Sequence, residues 1–493
     1  MFKNYLLVAL RTLWKHRVYS FINIAGLAAG MACCFVIFLY VRDEISFDHF
    51  HERANRIYRI TMHSTLSGEV HTFARTPFPM GPLLAEEIPG VETTVRLYGR
   101  SAGVEVHGRK GNAAEAVRFQ EPQFWFADST FFRVFSFPLL KGDSATALTR
   151  PHSVVLTEET ARKYFGTTDP VGQTMIVEGH YPFTVTGVLR SLPSNSHIQF
   201  DFLASIDDIL SMENEGTQAF LRSDWLFGPV HTYALLRPNV TKQQVQQHLP
   251  AFITRHANHP MAAAVSYNMQ ALPDIHLYSA FTDEEQQTTA VTYVYIVSAI
   301  ALLTLLIACI NFINLSTARS LGRTKEVGIR KALGAQRTQI IGQFLGESLL
   351  LSFIAFLLSL VLAEILLPLV NSITEKTLST AVLAQPDVLI GFIVIFFCTG
   401  LLAGSYPAIF ISRTRASVAI KGTAVVSTAG AGRLRKMLVI AQFVISMVLI
   451  SGAIVIDRQM QFLHDKSLGF RKDHVVTIPL FSENLLSVLG TKL

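Results

Sequence analysis

Apolar residues along the chain gather into five long runs separated by stretches of ordinary polarity: Phe21 to Val41, Val291 to Leu315, Phe344 to Val370, Val388 to Ile411 and Met437 to Ile456. Each is close to the length needed to cross about 30 Å of hydrocarbon as a helix at about 1.5 Å per residue. The pattern therefore predicts five transmembrane helices. Before the first run, Phe2, Tyr5, Leu6, Ala9, Leu10 and Leu13 recur at helical spacing, with Lys3, Arg11 and Lys15 off that stripe. Residues 1–20 read as a cytoplasmic interfacial helix, or alternatively as a polar extension of the first membrane helix.

Between the first and second runs, residues 42–290 have the pattern of a water-soluble α+β domain, long enough for a core of its own. Ser153 to Leu156 reads as a strand and Glu158 to Phe165 as a helix capped by Thr157 and stopped by Gly166. Met175 to Val177 and Phe183 to Leu189 alternate as a hairpin would across Gly179 to Pro182. A strand over His231 to Leu236 precedes a helix capped by Thr241. Pro77 and Pro79 introduce a short helix ending near Gly90, and Asp128 suits the cap of a turn through Phe131 and Phe132. Two lobes are expected.

Composition and charge agree with a membrane protein and set its orientation. Of 493 residues 50% are hydrophobic and 16% charged, against about a quarter charged in ordinary soluble domains. The net charge of +6 does not point to nucleic acid, because Lys and Arg concentrate beside the ends of the apolar runs. The segment after the second run carries Arg319, Arg323, Lys325, Arg330, Lys331 and Arg337 against Glu326 alone, whereas Asn371 to Asp387 offers only Lys376 with Glu375 and Asp387. The positive-inside rule then puts the N-terminus inside and the domain outside. All four cysteines, Cys33, Cys34, Cys309 and Cys398, fall within apolar runs, so the domain has no disulfide framework. The first apolar run is too long for a cleaved signal peptide and reads as a retained anchor.

The expected order is a cytoplasmic helix over 1–20, membrane helices over 21–41 and 291–318, and the external domain over 42–290. There follow a cytoplasmic loop over 319–343, a helix over 344–370, a short external loop over 371–387, a helix over 388–411, a cytoplasmic linker over 412–436, a helix over 437–456 and a last segment over 457–493. An internal repeat relates Arg17 to Tyr58 with Arg433 to Val476, Asp43 matching Asp457. On this reading the last segment is the truncated start of a second external domain.

Candidate chemistry is sparse. In the loop after the second run, Val327, Arg330, Lys331 and Gly334 share one side of a helix, and Ile329, Leu333 and Ile340 make an apolar seam. Such a loop suits docking into a partner's groove or resting on phospholipid. Gly26 with Gly30 and Gly400 with Gly404 have the G-x-x-x-G spacing that lets helix backbones approach, within one chain or between two. Glu347 and Glu364 lie near opposite ends of the third run and read as snorkelling or hydrogen-bonded groups rather than a proton relay. His49 and His51 flank Phe50 without further ligands at characteristic spacing, so no metal is assigned. No catalytic residue and no cofactor is assigned either.

The segment "KEVGIRKALGA", with "GSYPA" at Gly404 to Ala408, resembles the signature of FtsX-like permeases of the MacB/LolC/FtsX class of ABC transporters. The stretches "FADSTFFRVFSFPLLKGD", "VVLTEETARKYFGTTDPVGQT" and "LPSNSHIQFDF" resemble that family's MacB-like periplasmic core domain, and the opening "ALRTLWKHRVYSFINIAGLAAGMACC" fits as well. The resemblance is to long bacterial permeases in which the module of one helix, external domain and three helices occurs twice. It implies an α-helical membrane bundle with a large α+β periplasmic domain between its first two helices, in the bacterial inner membrane. It also implies a non-catalytic permease powered by a separate cytoplasmic ABC ATPase, with movement passed to the periplasmic domain. No G-x-x-x-x-G-K-S/T phosphate loop occurs in the sequence. By resemblance Glu326, Gly328, Ile329, Arg330, Lys331, Leu333 and Gly334 lie on the ATPase-coupling helix. The implied partners are that ATPase, membrane lipids, a second permease copy or the missing second module, and a periplasmic partner; the implied cargo is an antimicrobial, a peptide or a lipoprotein. A transmembrane sensor with a ligand-binding periplasmic domain is the alternative, and a secondary transporter a further one.

Overall fold

The computed structural model describes residues 17–65, 70–107, 116–226, 228–257, 264–279, 281, 283–284, 288–412 and 429–466. Residues 1–16 of the interfacial helix expected over 1–20, most of the linker after residue 412 and the end of the chain after residue 466 lie outside the described residues, while residues 17–20 belong to the first membrane helix. Residues 467–476 of the repeat's second copy lie outside them too.

Helix α1 (Arg17–Ile45) carries the first apolar run. The chain then enters an α/β domain built on one sheet of eleven strands. In chain order its elements are β1 (Ile57–Ser64), β2 (His71–Phe73), α2 (Met80–Glu87), β3 (Val91–His107), β4 (Ala116–Ala127), α3 (Phe131–Val134), β5 (Leu139–Lys141) and β6 (Ser153–Thr157). They continue with α4 (Glu158–Phe165), β7 (Thr174–Val177), β8 (Tyr181–Leu189), β9 (Phe202–Ser205), α5 (Asp207–Met212), α6 (Glu215–Ser223) and β10 (His231–Leu236). The last are α7 (Lys242–Gln246), α8 (Leu249–His256), β11 (Val265–Ala271) and α9 (Ile275–Tyr278).

The main path of the sheet runs β11-β1-β10-β3-β4-β9-β6-β8-β5, with β2 beside β1 and β7 beside β3 and β8. All pairs are antiparallel except β4 with β9 and β6 with β8. Because the sheet is continuous through β3, β4, β9 and β6, the domain is not divided into the two lobes expected from the pattern. Its apolar faces bury three clusters, centred on Phe131, Phe135 and Leu203, on Phe124, Phe183 and Phe202, and on Met80, Leu236 and Phe252.

Local signals were reliable where capping chemistry decides them. Thr157 accepts the Thr160 N–H at the start of α4, and Gly166, at φ +64°, ends it. Thr241 and Gln244 form a reciprocal capping box on α7. The β7–β8 hairpin turns through Glu178 and Gly179, both at positive φ. Asp128 departs from expectation. Its carbonyl accepts the Phe131 N–H, but its carboxylate is taken by Arg96 at 2.7 Å instead of capping the turn.

Among the buried polar residues of the domain, His51 accepts the Ser136 N–H at 3.0 Å and is packed among Phe50, Phe135 and Phe137. His49, two residues away, is exposed. Burial pushes the His51 imidazole down to about 4, with Asp48 opposing and His197 adding to the shift. The folded state thus holds neutral a group that ionises near pH 6.5 when unfolded, so stability is lost as pH falls below 6.5. Between pH 7.5 and 5 that one group should cost about 2 kcal/mol. Denaturant titrations of the full chain and of His51→Gln at both pH values should show the parent losing about that much more.

The remaining helices are apolar and long, except for one short polar helix. They are α10 (Val291–Gly322), the short α11 (Thr324–Ala332), α12 (Arg337–Thr374), α13 (Pro386–Ser412) and α14 (Ala429–Asp465). With α1, four of these are long and apolar enough to cross a membrane, which makes five candidate spans among the described residues. The α1, α10, α12 and α13 helices share a core containing Phe35, Phe312, Ala355 and Phe392.

Small residues decide how closely these helices approach. A Cβ on Gly30 would lie 2.6 Å from Ala308 Cβ of α10, and one on Gly26 would lie 3.5 Å from Asn311. In α13, a Cβ on Gly400 would come within 2.8 Å of Leu349, and one on Gly404 within 2.6 Å of Ser348 Cβ. Both G-x-x-x-G pairs therefore lie at contacts within one chain.

Candidate coupling site

The most polar constellation of the helical unit surrounds α11, the nine-residue helix between α10 and α12. Glu326 stands in its first turn and Arg330 and Lys331 in its last, the arrangement that complements the helix dipole. The chain leaves α11 through a Schellman turn. The Ala335 N–H donates to the Arg330 carbonyl at 3.0 Å and the Gly334 N–H to the Lys331 carbonyl at 3.0 Å. Gly334 occupies the left-handed position at φ +96° with open space where a Cβ would sit. It therefore lies just past the helix, as the residue that lets the chain turn. Gln336 and Gln339 then cap the start of α12.

One face of α11 is fastened to the bundle. Val327 is buried and clusters with Ile340 and Phe344 of α12 and with Ala408 and Ile411 of α13, and Gly328 is buried beside it. Arg323, just before the helix, lies between two carboxylates: Glu347 of α12 at 2.6 Å and Glu326 at 3.0 Å. Arg330 pairs with Glu326 at 2.8 Å and donates to the Gln343 side chain, which itself donates to Glu347. Lys331 donates to the Ser412 carbonyl of α13 at 2.6 Å. Burial opposes ionisation of Glu326, but the hydrogen bond from Arg323 and the charges of Arg323 and Arg330 outweigh it and hold the carboxyl below its usual range. Burial works against the charge on Arg323, but the hydrogen bonds and charges of Glu347 and Glu326 outweigh it and raise the guanidinium, while burial lowers the Lys331 ammonium.

The opposite face is open. Lys325, Ile329, Ala332 and Leu333 are exposed, Leu333 to 82%. Ile329 follows Lys325 by four residues, and Ala332 and Leu333 follow Ile329 by three and four, which puts them on one stripe. One expectation is corrected here. Ile340 does not continue a seam with Ile329 and Leu333, because it faces inward with Val327 while they face outward. Val327, Arg330 and Lys331 do share one side, but it is the side turned to α12 and α13, where Val327 is buried and both cations are engaged, while Gly334 is exposed. Arg323, Gln343 and Ser412 were missed by sequence reasoning. The excess of Arg and Lys over acid in this loop was visible, but its partners lie on helices distant in sequence. Glu347 hydrogen-bonds as expected, and its partner is the cation Arg323. Glu364 accepts from Thr380 at 2.5 Å.

Two family profiles match the chain: the MacB-like periplasmic core domain over residues 20–252 and the FtsX-like permease C-terminal domain over residues 298–416. The chain belongs to the MacB/FtsX-type ABC transporter permeases. Five apolar helices among the described residues, together with a periplasmic-type domain, make it an inner-membrane protein. Similar proteins include a Pseudomonas syringae pv. syringae pyoverdine export ATP-binding/permease protein, PvdT, 26% identical over 72% of this chain and 50% of that protein. The Pasteurella multocida macrolide export ATP-binding/permease protein MacB is 24% identical over 54% of this chain and 37% of its own. The permease thus spans about half the length of these relatives or less.

Among solved structures, the periplasmic region of MacB from Actinobacillus actinomycetemcomitans is 15% identical, covering 44% of this chain and 90% of its own, with a TM-score of 0.29. The extracellular domain of the noncanonic ABC-type transporter YknZ from Gram-positive bacteria is 14% identical, covering 43% and 99%, with a TM-score of 0.31.

Proposed function

We propose that the chain is a permease subunit that docks an ABC ATPase, carried on a separate chain, against α11 and passes its movement to the periplasmic domain. The observation that carries this reading is the two-sidedness of α11. Its inner face is fixed to α12 and α13 by apolar contact and ion pairs, while Lys325, Ile329, Ala332 and Leu333 stand outward as a basic and apolar stripe. A helix meant only to close a loop has no need of two exposed branched aliphatic side chains. One that inserts into a partner's groove does. The distribution of Lys and Arg supports α11 facing the cytoplasm, with the N-terminus on the same side. The substrate proposed is an antimicrobial, peptide or lipoprotein, exported or extracted on the periplasmic side. The resident group of the ATPase, a nucleotide, is not assigned to this chain.

The test uses the full chain expressed in its own host. Affinity purification in mild detergent should retain an ATPase. Single cysteines at Ser144 and Thr377, in a background without the native four, should react with an impermeant maleimide in spheroplasts, and one at Thr338 should not. Reaction of the cysteine at Thr338 from outside, or purification free of any ATPase, contradicts the reading.

A further inference from the structure

Helix α1 changes partners along its length. Near its start it packs on α10, with Gly30 against Ala308 and the Tyr19 ring beneath the Arg319 guanidinium at 4.6 Å. Near its end it packs on α13 instead. The Phe35 and Phe392 rings stack at 4.0 Å, and a Cβ on Gly391 would lie 2.5 Å from the Phe38 ring. Beyond these rings two ion pairs hold α1, one to the first turn of α13 and one to the segment between α12 and α13. Arg42 donates to Asp387 at 3.0 Å and to the Gln385 side chain, and Lys376 donates to Asp43 at 2.5 Å while lying over the Tyr40 ring. That segment is itself held to α12, since Asn371 exchanges two hydrogen bonds with Leu378 at 2.8 and 2.9 Å.

Helix α13 has its first residues at these ion pairs and its last at α11, where Ser412 accepts from Lys331 and Ala408 and Ile411 pack on Val327. One element of about 40 Å, at about 1.5 Å per residue, therefore joins the two places. The chain passes from Asp43 into the periplasmic domain at the next residue.

We propose that Arg42, Asp43, Lys376 and Asp387 are positioning residues, two ion pairs that fasten the end of α1 to the start of α13 and to the segment just before it, so that displacement of α11 arrives where the chain enters the periplasmic domain. The proposal rests on the coupling role of α11 and adds its route of delivery. Stability alone does not account for the Arg42–Asp387 pair. Asp387 is 62% exposed, and pairs of that exposure contribute little to folding. A tie of this kind matters when two packed elements must move together instead of sliding.

The experiment uses the full chain in nanodiscs of phosphatidylethanolamine and phosphatidylglycerol, its native cysteines replaced by alanine and Asp43→Cys with Lys376→Cys introduced as a reporter. Equilibration with a glutathione redox buffer gives the effective concentration of one thiol at the other, with the Arg42–Asp387 pair still in place. Lys331→Gln, at the far end of α13, should shift that concentration about fivefold or more. Lys331→Arg, which keeps the donor to Ser412, should restore it. Adding Arg42→Gln should abolish the response to Lys331→Gln. Val327→Asn, read the same way, serves if Lys331→Gln inserts poorly.

A reporter indifferent to both inner substitutions overturns the proposal, and so does a response that survives Arg42→Gln. No ATPase takes part. A null result here leaves ATPase docking on α11 standing, whereas failure of the chain to hold an ATPase, with a positive result here, rejects that docking alone.

Discussion

Ile329→Asp together with Leu333→Asp should strip the ATPase from the purified chain and leave the chain itself folded. Both side chains are exposed, 54% and 82%, so neither substitution opens a cavity or breaks a bond within the bundle. Burying each in a partner's groove is worth about 1.5 kcal/mol or more, and the pair therefore accounts for about 100-fold or more in affinity. An unpaired carboxylate carried into that groove adds a desolvation cost on top. The measurement is the amount of ATPase retained on immobilised permease, with elution volume and thermal melting of the permease as the folding control. Lys325→Glu, on the same stripe, should act differently, slowing association and weakening its salt dependence while leaving dissociation nearly unchanged.

The contrast with Arg330→Glu plus Lys331→Glu is informative. These residues look like docking charges in the sequence, yet Arg330 is engaged by Glu326 and Gln343 and Lys331 by the Ser412 carbonyl. Reversing them places new carboxylates beside Glu326 and removes the tie to α13. ATPase retention should fall here too, but with a lowered melting temperature that the Ile329 and Leu333 substitutions do not produce.

The second large effect belongs to Arg323. Its side chain is 16% exposed and its partner Glu347 15%, so the pair is largely removed from water. Arg323→Met leaves Glu347 without its cation in that setting and should cost about 3–5 kcal/mol. Arg323→Met with Glu347→Met exchanges both charges for apolar groups of similar length, which at buried pairs is often neutral or better. The double variant should accordingly recover most of the stability lost by the single one. Thermal melting of the four members of this cycle, in one detergent at one pH, measures it. If ATPase retention returns along with stability, the pair serves to seat α11; if stability returns and retention does not, the charges also take part in docking.

The sequence spoke clearly wherever one stretch of chain contains the whole cause of a structure. Five runs of helical length became five helices. Thr157, Gly166 and Thr241 marked helix ends because their side chains, or lack of one, act on backbone groups a few residues away. The order of the sheet was not legible, since it depends on the parallel pairing of β4 with β9 and of β6 with β8, which no hairpin rule supplies.

The facing of α11 was misread for a related reason. In nine residues Val327, Ile329 and, just beyond, Leu333 offer apolar groups on two sides, and periodicity over so short a span cannot choose between them. The choice is made by Ile340, Phe344, Ala408 and Ile411, which receive Val327. The ion pairs of Arg323 with Glu347 and of Arg42 with Asp387 join residues 24 and 345 positions apart. Single residues of that kind carry no local signature. What the charge pattern did show is that this loop holds an excess of cations, and the structure divides them into those that seat the helix and those that face outward.

The most direct test of the account is a zero-distance one. The photoreactive residue p-benzoylphenylalanine in place of Leu333, in the full chain in its native membrane, should yield on irradiation a covalent product containing a nucleotide-binding ATPase, while the same group in place of the buried Val327 should yield none. A product from Leu333 that contains only lipid, or an ATPase adduct obtained equally from Val327, would contradict the assignment of α11 as the docking helix.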